Sequence, residues 1–189
     1  QRLNAYDPHH LGGYPSVVEM LAEQQRAQRL KLNLLGIDVF GEVCSERSQT
    51  FIEETFGCKA RNIYGAAENH VIAQQCINRR LHVLSDLLIL EPVDRDGRPT
   101  EPGTPSDKVL LTCLGRYAQP IIRYELEDSI VVHDDSCACG FPTRTIEIIG
   151  RAQETFMIPG PSGELVPLRP QVVLIQVIRT AGVNRFQIR

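Results

Sequence analysis

The spacing of apolar positions in the first half of the chain predicts alternating helices and strands. Pro15 and Ser16 open a helix over VVEMLAEQQRAQRL, where apolar residues recur on one face. The short apolar run LNLLGIDVF (32–40) predicts a buried parallel strand. SERSQTFIEETFG predicts a second helix, capped by Ser45 and ended by Gly57, and KARNIYG predicts the next strand. Strand, helix and strand together form a βαβ unit.

Two further segments complete the reading of this half. DPHHLGGYPS, before the first helix, predicts a loop because Gly and Pro interrupt it. AENHVIAQQCINR (67–79) has a helix-like pattern. We therefore expect a helix between the βαβ unit and the second half of the chain.

The second half changes to strand-like runs separated by turn residues. The runs are LHVLSDLLILEPVD, KVLLTCLG, PIIRYELEDSIVVHD and RTIEIIGR, and the turns between them include DRDGRP, EPGTPSD and CACGFP. This pattern predicts an antiparallel, barrel-like β region. From residue 156 onward, MIPGPSGELVPL predicts a hairpin or loop, and LRPQVVLIQVIRTAG predicts a helix.

Composition narrows the class of protein. A chain of 189 residues suits one domain or two small ones, and a net charge of −3 argues against nucleic-acid or anionic-membrane partners. No apolar run approaches the roughly 20 residues of a bilayer span. QRLNAYDPHH lacks the features of a signal peptide, so we expect a cytoplasmic protein. A start without methionine and an end inside NRFQIR suggest part of a longer protein.

Six cysteines provide the first candidate chemistry. In a cytosolic chain, clustered cysteines indicate metal ligands or catalytic groups before disulfides. Cys44, Cys58 and Cys113 stand alone in apolar or helical contexts, and we interpret them as buried packing residues.

The other three cysteines suggest a metal site. Cys137 and Cys139 lie in CACG, and Cys76 and His82 lie in CINRRLH at the entry to the β region. Three cysteines and one histidine form a standard closed tetrahedral zinc set, which would clip the ends of the β region together. The spacing is not a common zinc-finger pattern, so four reduced side chains without metal remain the alternative. His133 could also replace His82 as the nitrogen ligand.

An ordered set of motifs resembles a known family. YGAAE, HVLSDLLILEPVDRDG, VLLTCL, QPIIRYELEDS, CACG and IIGR occur in the order typical of the phenylacetate–CoA ligase family, within the adenylate-forming acyl-ligase superfamily. The resemblance runs from LGGYPSVVEMLA to GVNRFQI. It implies the α/β class. We expect an AMP-binding α/β portion over 1–80, an antiparallel β subdomain with the zinc clip over 81–150, and the hinge and start of a C-terminal domain over 151–189.

The resemblance assigns roles around the motif YGAAE. Glu68 would be the catalytic acid that holds Mg²⁺ against the ATP phosphates, since this hard cation needs oxygen ligands. Tyr64 would lie against the adenine. Gly65 and Ala66 would let the backbone line the acyl pocket. Taken alone, Glu68 is better explained as an acid at a helix N-terminus, where the dipole favours it.

Further residues would complete the nucleotide site. Gly41 and Glu42 match the glycine–glutamate turn beside the nucleotide. Asp128 would accept hydrogen bonds from the ribose hydroxyls, and Arg151 would contact the ribose or phosphate near the hinge. The Cys and His set corresponds to a zinc site typical of the family.

The implied reaction activates a small carboxylic acid, expected to be aromatic, with ATP. Attack on the α-phosphate gives an acyl-adenylate and pyrophosphate, and CoA then displaces AMP. Positioning and charge neutralisation would supply most of the catalysis. The implied cofactors are ATP or AMP, Mg²⁺, structural Zn²⁺ and the co-substrate CoA; a homodimer is compatible with this reading. The alternatives are a degenerate nucleotide- or partner-binding module, or an adenylating enzyme that serves an amine, a carrier protein or a cofactor.

Three positions depart from the family pattern. Ala67 replaces the usual threonine of YGxTE, Glu127 replaces a glycine, and Gln153 replaces the hinge aspartate. Nothing in the chain resembles the Ser/Thr/Gly-rich phosphate loop, and the catalytic lysine is expected beyond residue 189. We therefore expect this chain alone not to catalyse the full reaction.

Overall fold

The computed structural model describes residues 2–151, 156–160 and 164–168. These residues form two compact units. The first consists of Gln1–Asp86 and Asp135–Thr145, and the second contains the described residues of Leu87–Asp134 and Ile146–Arg189. The expected division at 80 and 150 stays a prediction. The predicted helix over LRPQVVLIQVIRTAG lies almost wholly outside the described residues.

The first unit contains helices and a mixed sheet. Its helices are α1 (Arg2–Tyr6), α2 (Pro15–Arg26) and α3 (Glu46–Phe56). Its strands are β1 (His10–Gly13), β2 (Gly36–Phe40), β3 (Ala60–Tyr64), β4 (Ala73–Gln75) and β5 (Leu81–Val83). Strands β1, β2 and β3 run parallel, whereas β4 and β5 continue the sheet antiparallel. The predicted βαβ unit is confirmed as β2–α3–β3.

Local chemistry fixes the ends of α3. The Ser45 hydroxyl accepts a hydrogen bond from the Ser48 amide at 3.0 Å, which satisfies one of the free amides of the first turn. Gly57 ends the helix with φ +68°, a left-handed conformation that glycine adopts without a steric penalty. Both predicted caps are confirmed.

Helices α2 and α3 bury one face of the parallel strands. Ile37 and Val39 of β2 are fully buried, together with Ile52 of α3 and Val18 and Ala22 of α2. These residues alternate along β2 and recur at helical spacing in the helices, so each element contributes one face to the core. Cys44 and Cys58 are only partly buried against this core, whereas Cys113 of the second unit is buried as predicted.

The second unit is built from antiparallel strands, as the turn-rich sequence predicts. They are β6 (Leu88–Val93), β7 (Lys108–Cys113), β8 (Tyr124–Leu126), β9 (Asp128–His133), β10 (Thr145–Arg151), β11 (Phe156–Pro159) and β12 (Leu165–Leu168). Strands β6, β7 and β8 form one antiparallel sheet, and β9 lies next to β10. Strands β11 and β12 form the hairpin expected at MIPGPSGELVPL.

Two expectations from the sequence are wrong. Residues 67–79 contain no helix: a compact loop follows β3, and β4 then pairs antiparallel with it. Tertiary pairing overrides the weak helical propensity of this segment. The predicted loop DPHHLGGYPS contains strand β1, whose two glycines concealed it. Among the described residues, no helix combines the length and apolarity needed to span a bilayer.

Candidate functional site

The carboxyl ends of the parallel strands meet at one edge of the first unit. Phe40 of β2 pairs with Ile63 of β3, so Gly41–Glu42 and Tyr64–Gly65 leave neighbouring strands at the same level. Ligands of open α/β sheets bind outside this edge. The structure thus brings together four of the residues predicted to surround the nucleotide.

The turn after β2 is shaped by an aromatic residue that sequence reasoning missed. Gly41 has φ +79°, and a Cβ at this position would lie 2.5 Å from Cε1 of Tyr14. The Tyr14 and Phe40 rings are 6.1 Å apart at their centroids. Only glycine therefore fits at position 41, because the ring of Tyr14 closes over its backbone. Tyr14 lies between β1 and α2, so its position beside Gly41 could have been predicted only if β1 had been recognised as a strand.

Glu42 has a structural partner in the first unit. Its carboxylate accepts a hydrogen bond from the Ser16 amide at 3.2 Å, at the start of α2. Negative charge at a helix N-terminus is stabilising. This contact joins the turn after β2 to the start of α2, and the predicted nucleotide contact of Glu42 stays a prediction.

Glu68 lies in a tightly closed loop after β3. The amide of Ala66 donates to the Asn69 carbonyl at 2.9 Å, and the Asn69 amide donates back to the Ala66 carbonyl at 3.1 Å. A Cβ on Gly65 would overlap the carbonyl oxygen of His70. Glycine is therefore required at position 65 by packing of backbone on backbone. The loop holds Glu68 half-buried just beyond the ends of the parallel strands.

Asp128 and Arg151 belong to the second unit. Asp128 opens β9, next to Ser129, whose hydroxyl donates to the Ser106 carbonyl at 2.5 Å. Arg151 is the last residue of β10. Glu68 and Tyr64 belong to the first unit, and a nucleotide site shared with Asp128 and Arg151 stays a prediction.

The four predicted zinc ligands form a compact cluster within the first unit. The ligand atoms of Cys76, His82, Cys137 and Cys139 all lie within 4.8 Å of one another. The Sγ atoms of Cys76 and Cys137 are 3.8 Å apart, and Cys139 Sγ is 3.3 Å from His82 Nε2. Tetrahedral zinc with bonds of about 2.3 Å to sulfur would place two thiolates roughly 3.8 Å apart. His82, rather than His133, is the histidine of this cluster.

Two separate turns present the ligands. Cys76 starts the tight turn between β4 and β5, where its amide donates to the Arg80 carbonyl at 2.9 Å. Cys137 and Cys139 lie in a turn closed by the Gly140 amide, which donates to the Cys137 carbonyl at 3.1 Å. Gly140 has φ +80°, which explains the glycine behind the two thiols.

The ring of His82 is oriented by its surroundings. Its Nδ1 lies 3.0 Å from the carbonyl oxygen of Thr143, and the ring meets Phe141 edge to face at 5.4 Å between centroids. With a proton on Nδ1 donated to this carbonyl, Nε2 keeps its lone pair toward the cysteines. Histidine ligands of metals are oriented by such a hydrogen bond from the other ring nitrogen.

The thiols of the CACG turn have divergent acidities. A hydrogen bond from the Cys139 amide, supported by His82, lowers the pKa of Cys137 to about 6. The Phe141 amide lowers the pKa of Cys139, but burial and the thiols of Cys137 and Cys76 outweigh it, and the net pKa is raised. Thiolate is the form that binds zinc, so Cys137 is the ligand best prepared for it.

No protein-family model matches the chain. A curated protein and several solved structures are similar to it. Phenylacetate–coenzyme A ligase of Thermus thermophilus is 27% identical over 180 residues, which cover 91% of this chain and 40% of that protein. The resemblance found in the sequence is confirmed. This chain therefore spans less than half the length of its curated relative.

Solved structures give the fold. A 2-hydroxyisobutyryl-CoA ligase in complex with 2-HIB-AMP and CoA matches with a TM-score of 0.77 and 24% identity, over 96% of this chain and 44% of that one. An anthranilate CoA ligase in complex with anthranoyl-AMP matches with a TM-score of 0.71 and 15% identity, over 96% of this chain and 36% of that one. The predicted α/β fold class is confirmed, and the fold is shared with these two solved structures.

Two adjacent arginines in the β4–β5 hairpin were missed by sequence reasoning. Arg80 contacts Asp135 and Thr145, on the segment that carries Cys137 and Cys139, whereas Arg79 contacts helix α3. In a sequence, charged residues between two candidate ligands are usually interpreted as solvated turn residues. The adjacent positions of Arg79 and Arg80 do not predict that their side chains contact different elements.

Proposed function

We propose that this chain is the nucleotide-binding portion of an ATP-dependent, AMP-forming carboxylate–CoA ligase. The match to phenylacetate–coenzyme A ligase over 91% of the chain, together with the adenylate-forming fold, is the observation that carries the proposal. Two structural neighbours support the same reaction class: the complex of one contains 2-HIB-AMP and CoA, and the complex of the other contains anthranoyl-AMP.

The proposed substrate is a small carboxylic acid, with an aromatic acid preferred. Phenylacetate and anthranilate ligases are among the similar proteins, but so is a ligase for the aliphatic 2-hydroxyisobutyrate. Because the first unit supplies only the turn at Gly65 and Ala66 to the predicted acyl pocket, the preference for an aromatic ring rests on the relatives.

The residues of the strand edge fit a positioning role. Gly41 and Gly65 let the Tyr14 ring and the His70 carbonyl approach the backbone closely, and Tyr64 ends β3 directly before Gly65. Glu68 would supply a carboxylate oxygen to Mg²⁺, which would neutralise phosphate charge when bound. Asp128 would orient the ribose and Arg151 the ribose or phosphate. Together they would hold the acid and the α-phosphate in line, which is most of what adenylation requires.

A direct test is binding of a fluorescent AMP analogue to the 189-residue chain. We expect saturable binding that Asp128→Asn weakens at least about tenfold, the loss of one hydrogen bond to a buried ligand. Asp96→Asn is the matched control, since Asp96 is an exposed turn residue paired with Arg98. Absence of saturable binding, or equal losses in both variants, would contradict the nucleotide site. ATP–pyrophosphate exchange with a panel of aromatic acids, in the protein that contains this chain, tests the ligase reaction.

The Cys and His cluster is proposed to hold a structural Zn²⁺. Three thiols and an imidazole, the separation of Cys76 and Cys137, and the oriented ring of His82 fit tetrahedral zinc. Four protein ligands leave no position for water, so the ion would tie the β4–β5 hairpin to the CACG turn. It would take no part in the chemistry.

A binding module without ligase activity is the second candidate. Ala67 favours it, since this exposed residue offers no hydroxyl where the family pattern has threonine. The two candidates separate in the exchange assay: a module binds the AMP analogue but gives no exchange with any acid. Transfer of the acyl group to an amine, carrier protein or cofactor would give exchange without CoA-thioester formation.

A further inference from the structure

Arg79 occupies a strained position inside the β4–β5 hairpin. It lies between Cys76 and His82 and has φ +60°, a left-handed conformation that costs free energy in a residue with a Cβ. Its amide donates to the Cys76 carbonyl at 2.9 Å, and its carbonyl accepts from the Gln75 side chain at 3.1 Å. The backbone of Arg79 is therefore held directly beside a predicted metal ligand.

The Arg79 side chain lies along one polar stripe of helix α3. Its guanidinium donates to the Gln49 amide oxygen at 3.3 Å, to the Thr50 hydroxyl at 3.3 Å and to the Glu53 carboxylate at 3.2 Å. A further contact reaches the Glu46 carbonyl at 3.5 Å. These four positions follow the spacing of one helix face, so a single side chain fixes the hairpin against α3.

Beyond α3, the same contacts reach the start of β3. Gln49 is 4% exposed, and its amide group donates to the Ala60 carbonyl at 2.6 Å and to the Gln75 side chain at 2.7 Å. Gln75 in turn accepts from the Asn62 amide at 3.1 Å, and Glu53 accepts from the Ala60 amide at 3.1 Å. One buried side chain, Gln49, and two half-buried ones, Gln75 and Glu53, thus bind the first half of β3.

These side chains replace a missing part of the sheet ladder. Strand β4 pairs with β3 only at Ile63 and Tyr64. Within the part of the chain that the structure describes, no strand lies beside the edge of β3 before Ile63 on that side, so Gln75, Gln49 and Glu53 satisfy its backbone groups instead. Since buried backbone groups need partners, the order of this half-strand depends on the network that Arg79 completes.

We propose that Arg79 is a positioning residue that links the metal cluster to β3. A bound metal would fix Cys76 and His82, hold the intervening turn in its left-handed conformation and keep the guanidinium on α3. The Gln49–Gln75 network then orders Ala60 and Asn62, and the strand that carries Tyr64 and Gly65 begins from a fixed point. The link rests on the zinc and nucleotide sites proposed above, and makes affinity for the nucleotide depend on metal occupancy.

Amide hydrogen exchange of the 189-residue chain, followed by NMR, tests the link. In zinc-loaded protein we expect slow exchange at Ala60 and Asn62. Removal of zinc with a chelator should speed both amides at least about tenfold, as should Arg79→Ala with zinc still bound. The Val18 amide, which donates to the Tyr14 carbonyl in α2, reports on the rest of the unit and should not change.

Two variants separate the link from a general loss of stability. Arg79→Lys keeps the charge but loses the forked guanidinium and should give an intermediate effect. Arg47→Ala removes an exposed arginine from the same helix and should match the wild type. If Arg79→Ala fails to fold, the chelation and Arg79→Lys measurements still test the proposal.

Each component has its own contradicting result. Zinc binding at one equivalent, with unchanged exchange at Ala60 and Asn62 on chelation and in Arg79→Ala, would overturn the link. No zinc binding would overturn the metal site and the link with it. If chelation leaves exchange at Ala60 and Asn62 unchanged, the link is overturned. If in addition no variant binds an AMP analogue, the nucleotide proposal is overturned by that second measurement. Metal-dependent exchange without AMP binding would overturn only the nucleotide proposal and the dependence of affinity on zinc.

Discussion

Arg80 and Asp135 form a two-point ion pair that closes the metal cluster from outside. Arg80 Nη1 and Nη2 lie 2.5 Å and 2.8 Å from the two carboxylate oxygens of Asp135. Hydrogen bonding to Asp135, and the nearby Cys137 and Cys76, raise the pKa of Arg80. Its guanidinium therefore joins the two turns that carry the cysteines of the cluster, across 55 positions of sequence. It would also offset the negative charge of the thiolates if the proposed zinc were bound.

Replacement of Arg80 should weaken metal binding without removing a ligand. We expect Arg80→Ala to lower the zinc affinity about tenfold or more, as is typical for residues behind the ligands. Competition with a chromophoric chelator measures this change. Arg95→Ala is the control, because Arg95 is 90% exposed and pairs only with Asp107 of the second unit. Equal affinities in wild type and Arg80→Ala would show that the ligands hold the metal without the ion pair.

Metal content should depend on the cysteines of the cluster and not on the other cysteines of the chain. Elemental analysis of the protein purified without chelator should give about one zinc per chain, lost in Cys137→Ser. Cys58→Ser tests for nonspecific effects, since Cys58 is a partly buried thiol outside the cluster. A wild-type protein without zinc would remove the metal proposal.

In the metal-free chain, two thiols should become reactive toward alkylation in different pH ranges. Because hydrogen bonds lower the pKa of Cys137 to about 6, its alkylation by iodoacetamide should rise through pH 6 and level off above pH 7. Burial, with Glu19 nearby, raises the pKa of Cys44 to about 11, so alkylation of Cys44 should still be rising at pH 9. Peptide mass spectrometry measures both sites, and added zinc should protect only Cys137. Identical pH profiles at the two sites would contradict this electrostatic picture.

The loop after β3 should not tolerate a side chain at Gly65. Gly65→Ala forces a methyl group into the His70 carbonyl, and overpacking of this kind costs about 1–3 kcal/mol of unfolding free energy. Gly115→Ala is the matched control, since a Cβ there meets open space. Urea unfolding of the two variants gives the comparison. If Gly65→Ala unfolds at the same urea concentration as Gly115→Ala, the backbone contact is not as close as described.

Much of the first unit followed from the sequence because its signals are local. Ser45 and Gly57 identify the ends of α3, and alternation at Ile37 and Val39 identifies a buried strand. The grouping of Cys76, His82, Cys137 and Cys139 was also predictable, since clustered cysteines in such a chain indicate a metal site first and the resemblance to the family implied the same set. Their convergence in the structure is what spacing alone left open.

The failures arise where distant contacts decide the conformation. The segment around Ile72 was predicted to be helical, but its amide donates to the Tyr64 carbonyl at 2.8 Å and leads into β4. Strand β1 is short and glycine-rich, and only its pairing with β2 reveals it. Arg79 and Arg80 gave no signal, because neither their left-handed nor their paired geometry is encoded in residue type. Contacts between side chains that are distant in sequence can be identified only once the fold is known.

The first unit has a discontinuous sequence: Asp135–Thr145 returns to it after Leu87–Asp134, the first part of the second unit. The core buried by helices α2 and α3 consists of residues outside this returning segment. The segment is attached by the Arg144 carbonyl, which accepts from the Val83 amide at 3.0 Å, by Arg80 and His82, and by the cysteines of the cluster. If the cluster holds zinc as proposed, chelation should therefore loosen the cysteine-bearing turn of this segment while the helical core survives. Limited proteolysis would then cut first within 135–145. The order in which peptide bonds are cleaved would show which part of the first unit opens before the others.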